Sequence, residues 1–328
     1  MNKIYLVVKT LKFSLCSLCT LCLRVILFPI IFILFSCQST PKGSVAGGAE
    51  WDGHFPFEPG AIGYMFVDVN NSRLILDNVT IPGMNQKQAK TIIDKTNNFA
   101  AAIYRKNSVP WFQLAAWGQF TASQGNMAFG MNRDWKKSRC DSGHTFWHSN
   151  DMALALNKGL AFFSVSGTDS PVAPCNHSKG VDLPPEFSKY TKGAAILCWL
   201  EKPGNVADRF FEKLELPIKL PAENIIVSFM PMGDKPFTQY EAIMRIQTAS
   251  ATQARSVSRL ISFASGRAGG SGGDFSEAGV FEPLLDLFFA NPPVTDNEYI
   301  IIKTPLINAL EMALLINTFL LDTDTENL

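Results

Sequence analysis

The chain has 328 residues, with 29 basic and 29 acidic side chains, 47% apolar residues and only 18% charged ones. Such a balance excludes a disordered chain, which needs few apolar residues and a high net charge. It also leaves no basic footprint for nucleic acid.

Lys3, Lys9, Lys12 and Arg24 are the only charges in the first 36 residues, and no acid precedes Glu50. The apolar run 25–36 follows Arg24 and stops at Ser36, directly before Cys37. A cationic start, an apolar middle and a small residue at the cut form the layout of an export signal. Leu34-Phe35-Ser36-Cys37 resembles the lipobox of bacterial lipoproteins. Phe35 departs from the small or aliphatic residue usual there, and the match is closest to the looser lipoboxes of spirochaetes, treponemes in particular. The resemblance covers the leader alone. It implies that Cys37 receives a diacylglyceryl group, that signal peptidase II cuts after Ser36, and that the freed amine is then acylated. Two or more acyl chains give lasting anchorage, each buried methylene contributing about 0.8 kcal/mol. The competing reading is an uncleaved transmembrane anchor. Residues 25–36 are too short for that, since a span needs about 20 apolar residues, and a window from residue 4 places Arg24 deep in lipid. The long leader leaves room for a translation start downstream of Met1.

Removing the leader leaves 25 basic against 29 acidic residues, a net charge of −4, which also argues against a polybasic membrane-surface protein. The mature length suits one large domain or two ordinary ones. Residues 38–48 are small, polar and glycine-rich, so 37–54 is expected to be a flexible tether. Gln38 is not acidic, which by analogy with other lipoproteins favours the outer membrane, facing the periplasm.

The folded part is expected from residue 55. Residues 61–68 read as a strand, with 73–80 as its partner across Asn70 and Asn71. Ala89, Ile92, Ile93, Phe99, Ala100 and Ile103 recur at helical spacing and predict one helix over 84–104. Strands follow at 111–120 and 127–134, then a short one at 145–148. Residues 152–157 and 160–166 form a predicted hairpin turning at Asn157-Lys158-Gly159, although the first segment also fits a helix.

Residues 167–185 are a proline-bearing linker. Beyond it the layout repeats: 192–201 parallels 59–68 as a turn, an apolar run and an acid. A helix is expected at 205–214, strands at 224–230 and 238–248, and a helix from a Ser250 cap to residue 264 with Arg255 and Arg259 on one face. Then come a glycine-rich loop, an apolar helix at 281–290, a strand at 299–303 and a final helix at 306–321. The fold class is therefore α+β, with two related units at 55–166 and 186–328, each a sheet covered on one face by helices.

With Cys37 acylated, Cys140, Cys175 and Cys198 remain for an oxidising compartment. Cys198 lies in an apolar run and reads as a buried free thiol. Cys140 and Cys175 lie in polar, turn-rich stretches and are the natural disulfide pair. The same region holds His144, His148 and His177, and an extended 144–148 places its two histidines on one face. Soft ligands of this kind suit zinc. The spacing favours the disulfide, because zinc sites show tighter ligand pairs.

Gly269-Gly270-Ser271-Gly272-Gly273 matches the G-x-S-x-G elbow in letters, but that motif needs a strand feeding the turn, and here a helical stretch precedes it. No lysine and hydroxyl follow to cradle phosphate. Trp111, Trp117, Phe120 and Phe129 are candidates for an apolar pocket or partner surface; strand aromatics more often fill the core. Neither Asp134 with Asp141 nor Glu277 with Glu282 has a spacing that separates catalysis from solvated charge.

The expected function is a membrane-anchored envelope lipoprotein acting as a non-catalytic binding or assembly module, without a cofactor. Its partners are the bilayer, through acylated Cys37, and an envelope protein or apolar ligand. The alternatives are a periplasmic carrier of an apolar ligand or lipid, and a hydrolase using Ser271 or the Cys/His cluster.

Overall fold

The computed structural model describes residues 55–80, 85–106, 109–121, 123, 134–140, 143–149, 152–157, 159–165, 181, 185–203, 221–268, 287–288 and 290–321. Twelve strands lie in these residues: β1 (Gly63–Asp68), β2 (Thr96–Lys106), β3 (Val109–Gly118), β4 (Lys136–Arg139), β5 (Thr145–Ser149), β6 (Met152–Asn157), β7 (Leu160–Val165), β8 (Ile196–Glu201), β9 (Ala222–Met232), β10 (Gln239–Thr248), β11 (Val294–Asp296) and β12 (Tyr299–Asn308). The helices among them are α1 (Arg73–Leu76), α2 (Gln86–Lys95), α3 (Pro185–Thr191), α4 (Ala251–Ala268) and α5 (Ala309–Leu321).

All twelve strands join one sheet in the order β11-β12-β10-β9-β8-β1-β2-β3-β7-β6-β5-β4. Each pairing is antiparallel. The α+β class thus holds, as a mostly antiparallel sheet with few helices. The two stretches that look alike in sequence become the two central strands, with Gly63 opposite Leu200 and Val67 opposite Ile196. From this centre the chain runs outward both ways, through β1-β2-β3-β7 and through β8-β9-β10-β12.

Several expectations change. Residues 73–76 are helical and do not pair with β1, whose neighbours are β2 and β8. The Asp68 carboxylate accepts from the Asn71 N–H at 2.9 Å, and its carbonyl accepts from the Ser72 N–H at 3.0 Å, so the chain coils locally. Short polar side chains compete for backbone groups in this way. Arg73 then pairs with Asp77 at 3.0 Å and reaches Asp94 of α2 at 2.5 Å.

The predicted helix over 84–104 stops at Lys95, and β2 begins at Thr96. Ala100, Ala102 and Tyr104 pack on one side of β2, while Phe99 and Ala101 pack on the other. A strand covered on both faces reads as an unbroken apolar run, which periodicity alone does not separate from a helix. The strand at the end of the chain runs on to Asn308, so the last helix starts at Ala309. Its start is set by a reciprocal cap: the Glu311 N–H donates to Asn308 Oδ1 at 2.8 Å, and the Asn308 N–H donates to Glu311 Oε2 at 3.2 Å. Such a capping box satisfies helix-terminal donors on both sides. Ser250 caps α4 as expected, accepting from the Gln253 N–H at 3.2 Å.

Strands β4 and β11 and helix α3 were not anticipated. Within the predicted linker, Val181 bridges Phe55 and Pro185 opens α3. The predicted strand 127–134, except residue 134, lies outside the described residues, as do the helix 205–214 and most of 281–290.

Apolar residues cover both faces of the sheet. On the face here called the front, Phe55, Phe57, Tyr64, Phe66, Phe162, Phe187, Leu197, Trp199 and Ile226 form a continuous layer. On the back, one cluster joins β10 and β12 to α4 and α5 through Tyr240, Ile246, Ile261, Ile302 and Met312. A second back cluster lies under the first half, around Phe112, Trp147, Leu154 and Phe163. The expectation of helices on a single face is therefore corrected: α4 and α5 lie behind the sheet, and α3 lies in front, its Phe187 within 5.7 Å of Trp199.

A candidate ligand-binding face

Directly paired residues in a sheet project to the same side. The register places Arg245, Ile226, Trp199, Tyr64, Ala102, Gln113 and Ser164 opposite one another across seven consecutive strands. All of them therefore share the front face.

Over the first half, this row is covered by the segment that leads into β1. Gly60, at φ +91°, takes a backbone conformation open to glycine and turns that segment onto the sheet. The Glu58 N–H donates to Gln113 Oε1 at 2.9 Å. The Tyr104 hydroxyl bonds the Glu58 carbonyl at 2.6 Å and Gln113 Oε1 at 2.8 Å. Phe55 and Phe57 pack on Tyr64, which stacks on Trp199 with ring centroids 4.9 Å apart. Burial, with a smaller push from Glu201, raises the Tyr64 hydroxyl to about 12. Burial raises Tyr104 in the same direction. Among the described residues, two donors in this layer have no acceptor: Gln113 Nε2, on a fully buried side chain, and Trp199 Nε1, on one 5% exposed. A buried polar group left without a partner is uncommon and costly.

Over the second half, α3 covers the row. The Arg245 guanidinium carbon lies over the Tyr190 ring, 3.8 Å from its centroid. Arg245 Nη1 donates to Ser228 Oγ at 3.2 Å, and Ser228 is fully buried. Burial lowers the pKa of Arg245, partly offset by the Tyr190 hydroxyl and by Glu241; a guanidinium stays charged regardless. Glu241 is paired with Lys303 at 3.7 Å. Among the described residues, no carboxylate lies within ion-pair distance of Arg245. The arrangement is a half-buried cation, held by a ring and a hydroxyl, beside an aromatic layer with spare donors. Chemically it suits recognition of an oxyanion on an apolar body.

Sequence reasoning missed this face. In β10, Glu241, Arg245 and Gln247 share one face, opposite Tyr240, Ala242, Met244 and Ile246, so these polar residues read as solvent-facing. The signal against that reading lies in α3, whose tyrosine closes over the strand.

The residues singled out from sequence are only partly brought together. Cys140 and His144 meet at a turn after β4, the Cys140 N–H donating to the His144 carbonyl at 3.0 Å. His144 is exposed, and His148 Nε2 lies 3.0 Å from Ser138 Oγ. No group of three or more His, Cys, Asp or Glu among the described residues is placed to hold a metal. Cys198 is half-buried on β8. Trp117 and Phe120 fill the core, and Trp111 stacks on Tyr104 at 3.8 Å. Asp134 is exposed. Cys37, Cys175, His177, Phe129, Asp141, Ser271, Glu277 and Glu282 lie outside the described residues.

No family model and no curated protein matches the chain. Solved structures do match, among them three crystal forms of TP0453, a treponemal lipoprotein. Form I is 14% identical, with a TM-score of 0.53 over 83% of this chain and 99% of that one. Form IV is 15% identical, at 0.52 over 79% and 93%. Form III is 15% identical, at 0.51 over 79% and 95%. At such low identity the likeness concerns fold alone, and in fold this chain is similar to TP0453.

Proposed function

We propose that the protein is a lipid-anchored lipoprotein of the bacterial envelope whose body is a non-catalytic binding or assembly module. The observation that carries this reading is the fold likeness to TP0453, a treponemal lipoprotein, over about four fifths of the chain. The leader, read independently, resembles a treponemal lipobox ending at Cys37. Acyl chains on Cys37 anchor the mature protein, and residues 38–54 tether the body to the outer membrane, facing the periplasm. Among the described residues, no helix is long and apolar enough to cross a membrane. In membrane fractions of expressing cells, Cys37→Ala should abolish membrane association, and a variant that stays fully membrane-bound would overturn the reading.

The matching strand order on each side of β1 and β8 supports reading the body as two related units. In an oxidising compartment Cys140 pairs with Cys175. Peptide mapping without reductant should recover the two joined, and alkylation of both as free thiols would sink the pairing. A second reading, a carrier of an apolar ligand, is favoured by the aromatic layer and the unsatisfied Trp199 and Gln113 donors on the front face.

A further inference from the structure

We propose that the front face at β8, β9 and β10 binds a small organic oxyanion, a carboxylate or phosphate monoester, with Arg245 as its charge partner. The inference rests on the body being a binding module and names the chemistry of what it binds.

Placing a cation half inside a protein is unfavourable unless something answers its charge. Arg245 is in that position with no carboxylate among the described residues at ion-pair distance, and Glu241 acts on it only from farther away. Glu241, on the same face of β10, is taken by Lys303. What holds Arg245 is the Tyr190 ring, 3.8 Å from the guanidinium carbon, and the buried Ser228 hydroxyl. A guanidinium has five N–H donors, and these contacts do not exhaust them. The planar guanidinium fork suits two-point recognition of a carboxylate or phosphate.

The neighbours set the rest of the ligand. Ile226 lies between Arg245 and Trp199 in the register, and Met230 lines the same side of β9. Trp199, whose Nε1 has no acceptor among the described residues, lies two strands from Arg245, a backbone separation of about 10 Å at the usual strand spacing. Ile226 and Trp199 are themselves covered by the front layer, so a ligand first meets the part of Arg245 left open beside them. A purely structural arginine, kept for its stacking alone, is the competing account, and binding separates the two.

Detergent-purified full-length protein should be titrated calorimetrically with decanoate, decyl phosphate and inorganic phosphate, the amphiphiles below their micellar concentrations. Saturable binding of at least one is expected. Arg245→Gln should weaken it by about tenfold or more, with Arg245→Lys between the two and Lys87→Gln, exposed on α2, unchanged. Binding of the decyl and decanoyl compounds alone identifies an amphiphile as the source of the oxyanion, and binding of inorganic phosphate identifies a free anion. Melting curves confirm that each variant is folded. If Arg245→Gln does not fold, Arg245→Lys retains the charge but loses the fork, and its unchanged affinity would overturn the proposal. So would the absence of binding by all three probes, or equal binding by a folded Arg245→Gln. None of these outcomes touches the anchoring reading, which is decided at Cys37.

Discussion

A tyrosine hydroxyl out of water resists ionisation, because its charged form loses hydration. Burial raises Tyr64 and Tyr240 to about 12 and pushes Tyr104 up as well. In the unfolded chain a tyrosine titrates near 10. The folded state therefore binds these protons more tightly, so their contribution is intact below about pH 10 and is lost as pH rises toward about 12. Thermal melts of Tyr64→Phe should lose less stability across that window than the parent protein, and an identical decline would contradict the assignment. Single residues were unevenly legible from sequence. The roles of Trp117, Phe120 and Ser250 follow from apolar pattern and capping chemistry. The role of Arg245 does not, because alternation in β10 marks it as outward-facing and only the placement of Tyr190 shows that it is covered.

Among the elements, the hairpin β6–β7 and the long strands β9 and β10 lie where the sequence places strands. The errors cluster where two periods fit at once. Residues 99–103 satisfy helical spacing and a doubly buried strand equally, and tertiary pairing with β1 and β3 decides for the strand. That switch brings the start of β2 hard against the end of β3. A side chain at Gly118 would collide with the Lys95 carbonyl oxygen and would come within 2.9 Å of Thr96 Cα. Both obstacles are backbone, so neither moves cheaply. Gly118→Ala should cost about 1–3 kcal/mol by denaturant unfolding, and a loss below about 0.5 kcal/mol would show that the crossing is looser than described. Short β4 and β11 were missed because three or four residues carry too little periodicity to register.

Across the whole molecule, the sequence pointed to two alike stretches but not to their meeting. Pairing of β1 with β8 merges both halves into one sheet, a long-range contact that no local pattern encodes. The front face gathers residues from 55 to 245 through that merger, so the candidate site depends on it. The likeness to TP0453 supports the fold, and the proposed location is tested at the leader. The proposed anchoring rests on one atom, the Sγ of Cys37. Mass spectrometry of the N-terminal peptide, taken from protein extracted from membranes, tests the account most directly. The account predicts a chain beginning at Cys37 with a diacylglyceryl thioether and an acylated amine. A peptide that continues upstream through Ser36, with an unmodified thiol, would contradict it.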